Sequence, residues 1–469
     1  MARMTGPLRT VPATFSAAAT GALRYKFQRH FCLRQVEPSP LPAYLSCKEA
    51  HMKILLIAIG SRGDVQPFVV LGNRLKAEGH DVHIAAAEGF SAMISEAGLA
   101  HHPLPMDLQD LMQSPKIKSA LTSFSGKIKA YRWTSEIMNQ QLSAMWQIGM
   151  DVAPGLILYH FKGALAPYLA RKLGIPAWPI MLQPGFTATR QYPQFLVASR
   201  SLGRVGNLAS HKVIGALIKV GTNLMIKRWI KASGTEIGPM MDVQAGYAPD
   251  GLVTRPHAYS PHITPLAPDM SETEEQVGYI FAKPEEFTPP PALQSFLAEG
   301  PKPIYVGFGS MPGIDHQRIN TALLGALEQT GIRAVVATGW GGFADLSPGP
   351  NIHVLEAVPH TWLFPRVAAV VHHGGSGTTH EGLRWGRPSV ICPLFADQPF
   401  FGQRVADLGV GPAPIAQKRL TADKLASALK AVMSPEMTAK AETLGASMRH
   451  EDGAGKMADL INQIDEVQS

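Results

Sequence analysis

Cysteine is scarce in this chain. Cys32, Cys47 and Cys392 are the full complement in 469 residues. They are odd in number and lack metal-ligand spacing, which excludes a disulfide scaffold and suits a reducing cytoplasm. Long apolar runs are missing as well. Nowhere do about 18 uncharged apolar residues follow one another, so no membrane-spanning helix is expected. No Asp-x-Asp pair occurs, which argues against a diphosphate bridged by a metal on such a pair. Charged residues make up only 17% against 45% hydrophobic, which excludes a disordered chain and allows two substantial cores. The length is about three times that of an ordinary domain, so two domains are expected.

The net charge of +7 divides unevenly. Residues 1–51 carry seven Lys or Arg against Glu37 and Glu49, a net +5, while the rest carries 36 basic and 34 acidic residues, a net +2. Global charge therefore gives no support to nucleic-acid binding. Residues 1–51 are rich in Ala, Ser, Thr, Pro and Arg and show no sustained apolar period. They have the composition of a transit peptide, or of disordered sequence read from an upstream start. The second reading is preferred because Met52 stands directly before a clean strand, Lys53–Ile59.

From Met52 the pattern is strand, tight turn, helix, strand. The apolar run ends in Gly60-Ser-Arg-Gly-Asp64, a helical pattern follows through Phe68, Leu71 and Leu75, and Asp81–Ala87 reads as the next strand. This is a right-handed βαβ unit whose first loop opens at the carboxyl edge of a sheet, where doubly wound folds bind ligands. The alternation continues through Leu156–Tyr159, a helix over about 162–173, and Ala177–Ile180. Residues 152–235 contain no Asp or Glu yet carry eleven Lys or Arg. Within them 205–231 reads as a helix or helix pair, with Lys212, Lys219, Lys227 and Lys231 broadly on one side. Ile214, Leu217, Ile218, Leu224, Met225 and Trp229 lie broadly on the other, while Ile226 and Ile230 break the pattern. Such a helix suits peripheral attachment to an anionic membrane surface, or the rim of a lipid-acceptor groove. It equally suits an ordinary domain helix with a solvated Lys face. Residues 265–303 are Pro-rich and poorly periodic, as domain boundaries are, and a second α/β set begins at Pro303-Ile-Tyr-Val-Gly-Phe308. The expected organisation is an N-terminal domain over 52–265, a linker over 266–302, a C-terminal domain over 303–445 and a terminal helix over 446–469 returning to the first domain.

Three pieces carry chemistry. In Val371-His-His-Gly-Gly-Ser-Gly-Thr-Thr-His-Glu381 a strand ends and a glycine-rich turn opens a helix. Backbone N–H groups there can approach an anion and the helix dipole favours negative charge, which makes the turn a diphosphate cradle in form. It is neither a P-loop nor a dinucleotide fingerprint. Gly307-Phe-Gly-Ser310 offers a hydroxyl at the end of another strand. Pro393-Leu-Phe-Ala-Asp-Gln-Pro399 offers an acceptor and an amide suited to sugar hydroxyls, or simply a turn in which Asp397 caps a helix.

The order Val358–Pro365, His372–Thr379 and Phe395–Pro399, together with Gly60-Ser-Arg-Gly-Asp-Val-Gln-Pro67, resembles the signature of the UDP-glycosyltransferase family. The sterol glucosyltransferases and the bacterial lipid and natural-product glycosyltransferases are the most similar subgroup. The resemblance covers roughly 52–450 and is thin between about 105 and 265. It implies an α/β GT-B fold, with two Rossmann-like doubly wound domains facing across a cleft. It further implies that His373, Gly375, Ser376, Gly377 and Thr378 hold the donor diphosphate with Ser310 assisting. Glu381 would take the ribose, Asp397 and Gln398 the sugar, and the segment from Val358 to Trp362 the base, Trp362 either stacking on it or packing in the core. Asp64 is the expected catalytic base, standing where plant members carry His and the sterol and antibiotic subgroup carries Asp. One carboxylate suffices for direct inverting displacement, accepting the proton of the attacking hydroxyl. The same Asp can cap a helix beginning near Pro67.

The reading that follows is an inverting, metal-independent hexosyltransferase with no cofactor. It would be cytoplasmic, peripheral at the membrane surface if 205–231 attaches there. It moves glucose from UDP-glucose to a hydroxyl of a sterol, hydroxy-lipid or polyketide. The alternatives are a dTDP-deoxysugar transferase of rhamnosyl type, an epimerase or hydrolase on the same scaffold, and a non-catalytic, membrane-associated nucleotide-sugar-binding protein. His101 and His102 show no partner in sequence and are read as structural.

Overall fold

The computed structural model describes residues 51–105, 124–284, 286–309, 316–339, 346 and 348–468. Ser310 and the leader up to residue 50 lie outside the described residues. The first half runs β1 (Lys53–Ile57), α1 (Arg62–Ala77), β2 (Asp81–Ala87), α2 (Ser91–Glu96), β3 (Ala100–Leu104), α3 (Phe124–Val152), β4 (Leu156–His160), α4 (Ala166–Leu173), β5 (Ala177–Ile180) and α5 (Gly203–Ser233). Two short strands, β6 (Arg255–His257) and β7 (Glu274–Gln276), pair in parallel, so a strand lies inside the Pro-rich stretch. The second half runs α6 (Pro291–Ala298), β8 (Ile304–Gly307), α7 (His316–Thr330), β9 (Ala334–Ala337), β10 (Ile352–Leu355), α8 (His360–Leu363), β11 (Val370–His372), α9 (Ser376–Arg384), β12 (Ser389–Ile391), α10 (Gln398–Asp407), α11 (Ala422–Val432), α12 (Pro435–Met448) and α13 (Gly453–Gln468).

Two parallel five-stranded sheets result, in the orders β3-β2-β1-β4-β5 and β10-β9-β8-β11-β12. A strand covered on both faces by helices must be apolar throughout. Accordingly Ile54, Leu55, Leu56 and Ile57 are fully buried, each contributing about 1.5–3 kcal/mol of hydrophobic stabilisation. In both sheets the chain reverses its direction of winding between two central neighbours: β1 beside β4, and β8 beside β11. Those switch points leave crevices at the carboxyl ends of the strands.

Helix α13 belongs to the core of the first sheet although it ends the chain. Met457, Ala458 and Ile461 are buried with Ile54, Leu56, Phe68 and Leu71. Asn462 donates to Glu78 at 3.1 Å and lies 3.1 Å from His80.

Three local expectations are corrected. α1 begins at Arg62, five residues before Pro67. A Ser61/Asp64 capping box satisfies its first amides, which removes the need for a later start. Residues 203–233 form one helix, and Leu217 and Leu224 are exposed rather than grouped with the buried Trp229, while Ile226, outside the expected apolar side, is buried. His101 and His102 do have partners: His102 Nε2 lies 2.9 Å from His83 Nδ1, and His101 sits 3.1 Å from both Ser91 Oγ and the Ala86 carbonyl.

Candidate active site

The crevice beside β1 is built around Asp64. The turn after β1 places it in the first turn of α1, where its Oδ2 accepts from the Ser61 amide at 2.8 Å and the Ser61 hydroxyl at 3.2 Å. Gly60 is required beneath it. Its φ is +143°, and an added Cβ would fall 2.0 Å from Asp64 Oδ2. The neighbouring strand β4 and the turn after it supply two residues from the other side of the switch point. Lys162 Nζ donates to Asp64 Oδ2 at 3.2 Å, and His160 Nε2 stands 3.4 Å from Oδ1. Neither was singled out in the sequence. The signal was available, since Leu156-Ile-Leu-Tyr-His-Phe-Lys162 is a buried strand running into the same carboxyl edge.

Electrostatics follow from this arrangement. Burial raises the Asp64 carboxyl, but His160, Lys162 and the Ser61 amide outweigh it, so the group is held well below the usual carboxylate range. His160 is fully buried and is pushed down by desolvation, hence neutral. Its Nδ1 accepts from the Lys162 amide at 3.4 Å, which leaves the proton on the Nε2 that faces Asp64.

The second crevice holds the glycine-rich turn. β11 ends at His372, whose Nδ1 accepts from the Gly374 amide at 3.1 Å. Gly375 is the N-cap of α9, and Ser376, Gly377 and Thr378 form its first turn, partly exposed. Thr379 turns away, donating to the Gly375 carbonyl at 2.9 Å. His373 folds back over Gly375, and its Nδ1 is buried with no hydrogen-bond partner among the described residues. Burial lowers its pKa to about 4, so it presents a neutral imidazole to this cradle.

The loop after β12 brings Asp397 to the same place. Ala396 has a φ of +56°, a left-handed conformation that is strained for a residue with a Cβ. Asp397 occupies the N-cap of α10 but makes no side-chain cap bond, and the Ser376 amide across the crevice favours its charged form. Gln398 is buried and its Oε1 accepts from the Leu394 amide at 2.8 Å and the Phe395 amide at 3.3 Å, so it shapes this turn. Glu381, also buried, accepts from Trp385 Nε1 at 2.6 Å. Val358 is half-buried before α8. Trp362 meets Phe287 edge-on at 5.0 Å, with the Arg366 guanidinium over its ring.

The two crevices meet. Ser376 Oγ lies 3.4 Å from the Leu182 carbonyl just past β5, and the Ser260 amide donates to His380 at 3.2 Å. Burial, reinforced by the nearby Asp64 charge, raises the Asp397 carboxyl to about 7. Raised above its ordinary 3.8, Asp397 favours folding when protonated, and that contribution is lost as pH rises from about 4 through about 7. Asp397→Asn, which cannot ionise, is therefore expected to gain thermal stability over the parent chain progressively across that interval. Melting temperatures at pH 4 and pH 8 check this, and a difference independent of pH would contradict the burial argument.

Two facing Rossmann-like units with a glycine cradle opposite a carboxylate define a GT-B glycosyltransferase fold. Solved structures agree on the fold: the kitacinnamycin glycosyltransferase (19% identity, TM-score 0.63, covering 88% of this chain and 98% of that one) and the calicheamicin glycosyltransferase CalG4 (20%, 0.60, again 88% and 98%). Residues 54–158 match the glycosyltransferase family 28 N-terminal domain, and 321–460 match the erythromycin biosynthesis protein CIII-like C-terminal domain. The Arabidopsis thaliana sterol 3-beta-glucosyltransferase UGT80A2 is 33% identical over 410 residues, 86% of this chain and 64% of that protein. The Neosartorya fischeri sterol 3-beta-glucosyltransferase is 31% identical over 445 residues, 92% of this chain and 31% of that protein. The chain carries these two domains in order and spans about a third to two thirds of the length of these curated relatives.

Proposed function

We propose that this protein transfers glucose from UDP-glucose, with inversion and without a metal, to the hydroxyl of an apolar acceptor of the sterol or hydroxy-lipid class, met at a membrane surface. The observation that carries the reading is the placement of Asp64 and the 373–378 cradle on facing switch points, within electrostatic reach through Asp397. In the reaction, the acceptor oxygen attacks the anomeric carbon and Asp64 takes its proton. The bond from that carbon to the β-phosphate oxygen breaks on the opposite face, and the nucleoside diphosphate leaves.

The roles of the residues follow. The amides at the start of α9, with Ser376, Thr378 and the His373 imidazole, and Ser310 assisting, receive the charge that develops on the leaving diphosphate. Asp397 and Gln398 address the sugar, Glu381 the ribose, and the segment at Val358 the base. His160 and Lys162 orient Asp64. Sterol transfer draws support from the two relatives above, whose names specify it.

The test follows nucleoside diphosphate release by the full chain, with EDTA present. UDP-glucose and dTDP-deoxysugars serve as donors, with and without sterol, hydroxy-lipid and phenolic acceptors. Release from UDP-glucose that depends on a sterol or hydroxy-lipid is expected. Preference for a dTDP-deoxysugar would move the donor assignment, acceptor-independent release would indicate a hydrolase, and binding without turnover would indicate a binding protein.

A further inference from the structure

Helix α5 buries one side and carries an apolar stripe on the opposite, exposed side. Its inner side carries the buried Asn207, Ser210, His211, Ile226 and Trp229, with Trp229 Nε1 donating to Ser143 at 2.9 Å. On the outer side Val213, Leu217, Val220 and Leu224 recur at spacings of four, three and four, which aligns them in one stripe. Each is between 51% and 62% exposed. A single domain gains nothing from such a stripe in water, and contiguous exposed apolar surface marks an interaction face.

Two further observations say what covers it. The stripe is bordered by Lys212, Lys227 and Lys231, while Lys219 on the same helix pairs with Asp242 at 3.6 Å, and no carboxylate occurs in the sequence of residues 152–235. The matching surface is therefore apolar beneath and anionic at its rim. A chain of packed aromatic rings also leads from this face toward Asp64. The loop before α5 is tied to the helix by Ser210, which accepts from the Gln194 amide at 2.9 Å, and it exposes Leu196, Val197 and Leu202. Directly behind Leu196 lies the buried Phe195, then Phe186 at 5.7 Å between ring centres, then Phe161 at 4.0 Å. Phe161 stands between His160 and Lys162, the two residues that hold Asp64.

We propose that the outer stripe of α5 and the 196–205 loop dock on an anionic lipid bilayer, so that an acceptor lying in the bilayer reaches Asp64 along Phe195, Phe186 and Phe161. This rests on the transferase reading for the destination of the path, but the docking itself is measured without turnover. Flotation of the full chain is compared on vesicles of phosphatidylcholine alone and of phosphatidylcholine with phosphatidylglycerol. Binding at least about tenfold tighter to the anionic vesicles is expected, weakened by salt. Leu217→Glu with Leu224→Glu, both at exposed positions, is expected to lower that binding by more than about tenfold with an unchanged melting temperature.

The same variant should turn over a detergent-dispersed acceptor like the parent chain and lose turnover only on an acceptor held in vesicles. Absence of flotation by the parent chain overturns the proposal. So does a variant that floats normally while abolishing a self-association shown by the parent chain in solution, since the stripe would then meet a second copy. Flotation as expected, with no turnover of any acceptor, would sustain the docking and count against the transferase.

Discussion

Asp64→Asn is expected to reduce kcat by about 10²–10⁴-fold, the usual contribution of a positioned general base. Asn retains the shape of the side chain and an oxygen for the Ser61 amide, so the start of α1 should survive and nucleoside diphosphate affinity should stay within a few-fold. Titration calorimetry with UDP beside steady-state kinetics separates the two quantities. Equal losses in both would place Asp64 in the fold rather than in the reaction. A second readout comes from pH. Because His160 and Lys162 overcome the upward pull of burial, the Asp64 carboxyl lies below the ordinary range. Its acid limb in kcat/KM should accordingly lie below pH 4. Lys162→Met removes one of the groups that lower it, so the limb should move to higher pH while the maximum persists. A limb that stays in place would show that another group governs it.

The parts of this site legible in the sequence are those in which one short segment contains both the element and its chemistry. Lys53–Ile59 running into Gly60-Ser-Arg-Gly-Asp64, and Val371 running into His372–Thr379, each declare a buried strand, a turn and a helix within a dozen residues. The carboxyl-edge rule then places Asp64 and the cradle without further information. What stayed hidden depends on pairing across distance. His160 and Lys162 lie almost a hundred residues from Asp64 and become its neighbours only because β4 is hydrogen-bonded to β1. The strained turn at Ala396, which carries Asp397 to the N-cap of α10, is likewise fixed by packing rather than by propensity. Helix α5 misled for a different reason. A helical period shows that apolar residues share a side, but Leu217 and Leu224 belong to an outer stripe that the inner one, at Ile226 and Trp229, obscures. Asp64 takes part in the capping box at the start of α1 while its Oδ1 lies 3.4 Å from His160, so the capping role leaves an oxygen over for chemistry.

Gly374→Ala should be the most damaging small substitution in the donor crevice. The backbone there has a φ of +93°, which side-chain-bearing residues rarely adopt. An added Cβ would stand 2.5 Å from Ile391 Cγ2 and 3.0 Å from the Gln398 carbonyl. Ile391 is fully buried in β12 and the Gln398 carbonyl is backbone, so neither can yield cheaply. The turn must move instead, carrying Gly375, Ser376 and the first amides of α9 away from the position where a diphosphate would sit. A stability loss of about 1–3 kcal/mol is expected from the strained backbone. Weakening of UDP binding by at least about tenfold should accompany it, since displaced donors no longer converge on the anion. Gly377→Ala provides the contrast. Its backbone is helical, and the nearest atom to an added Cβ is the Tyr279 hydroxyl at 3.4 Å, so Ala should be neutral or stabilising for the helix. If the diphosphate approaches the first turn of α9 as closely as proposed, Gly377→Ala should lose UDP affinity while keeping its melting temperature. Denaturant unfolding beside UDP titration of both variants distinguishes the two roles. Unchanged affinity in both would remove the diphosphate from this turn altogether.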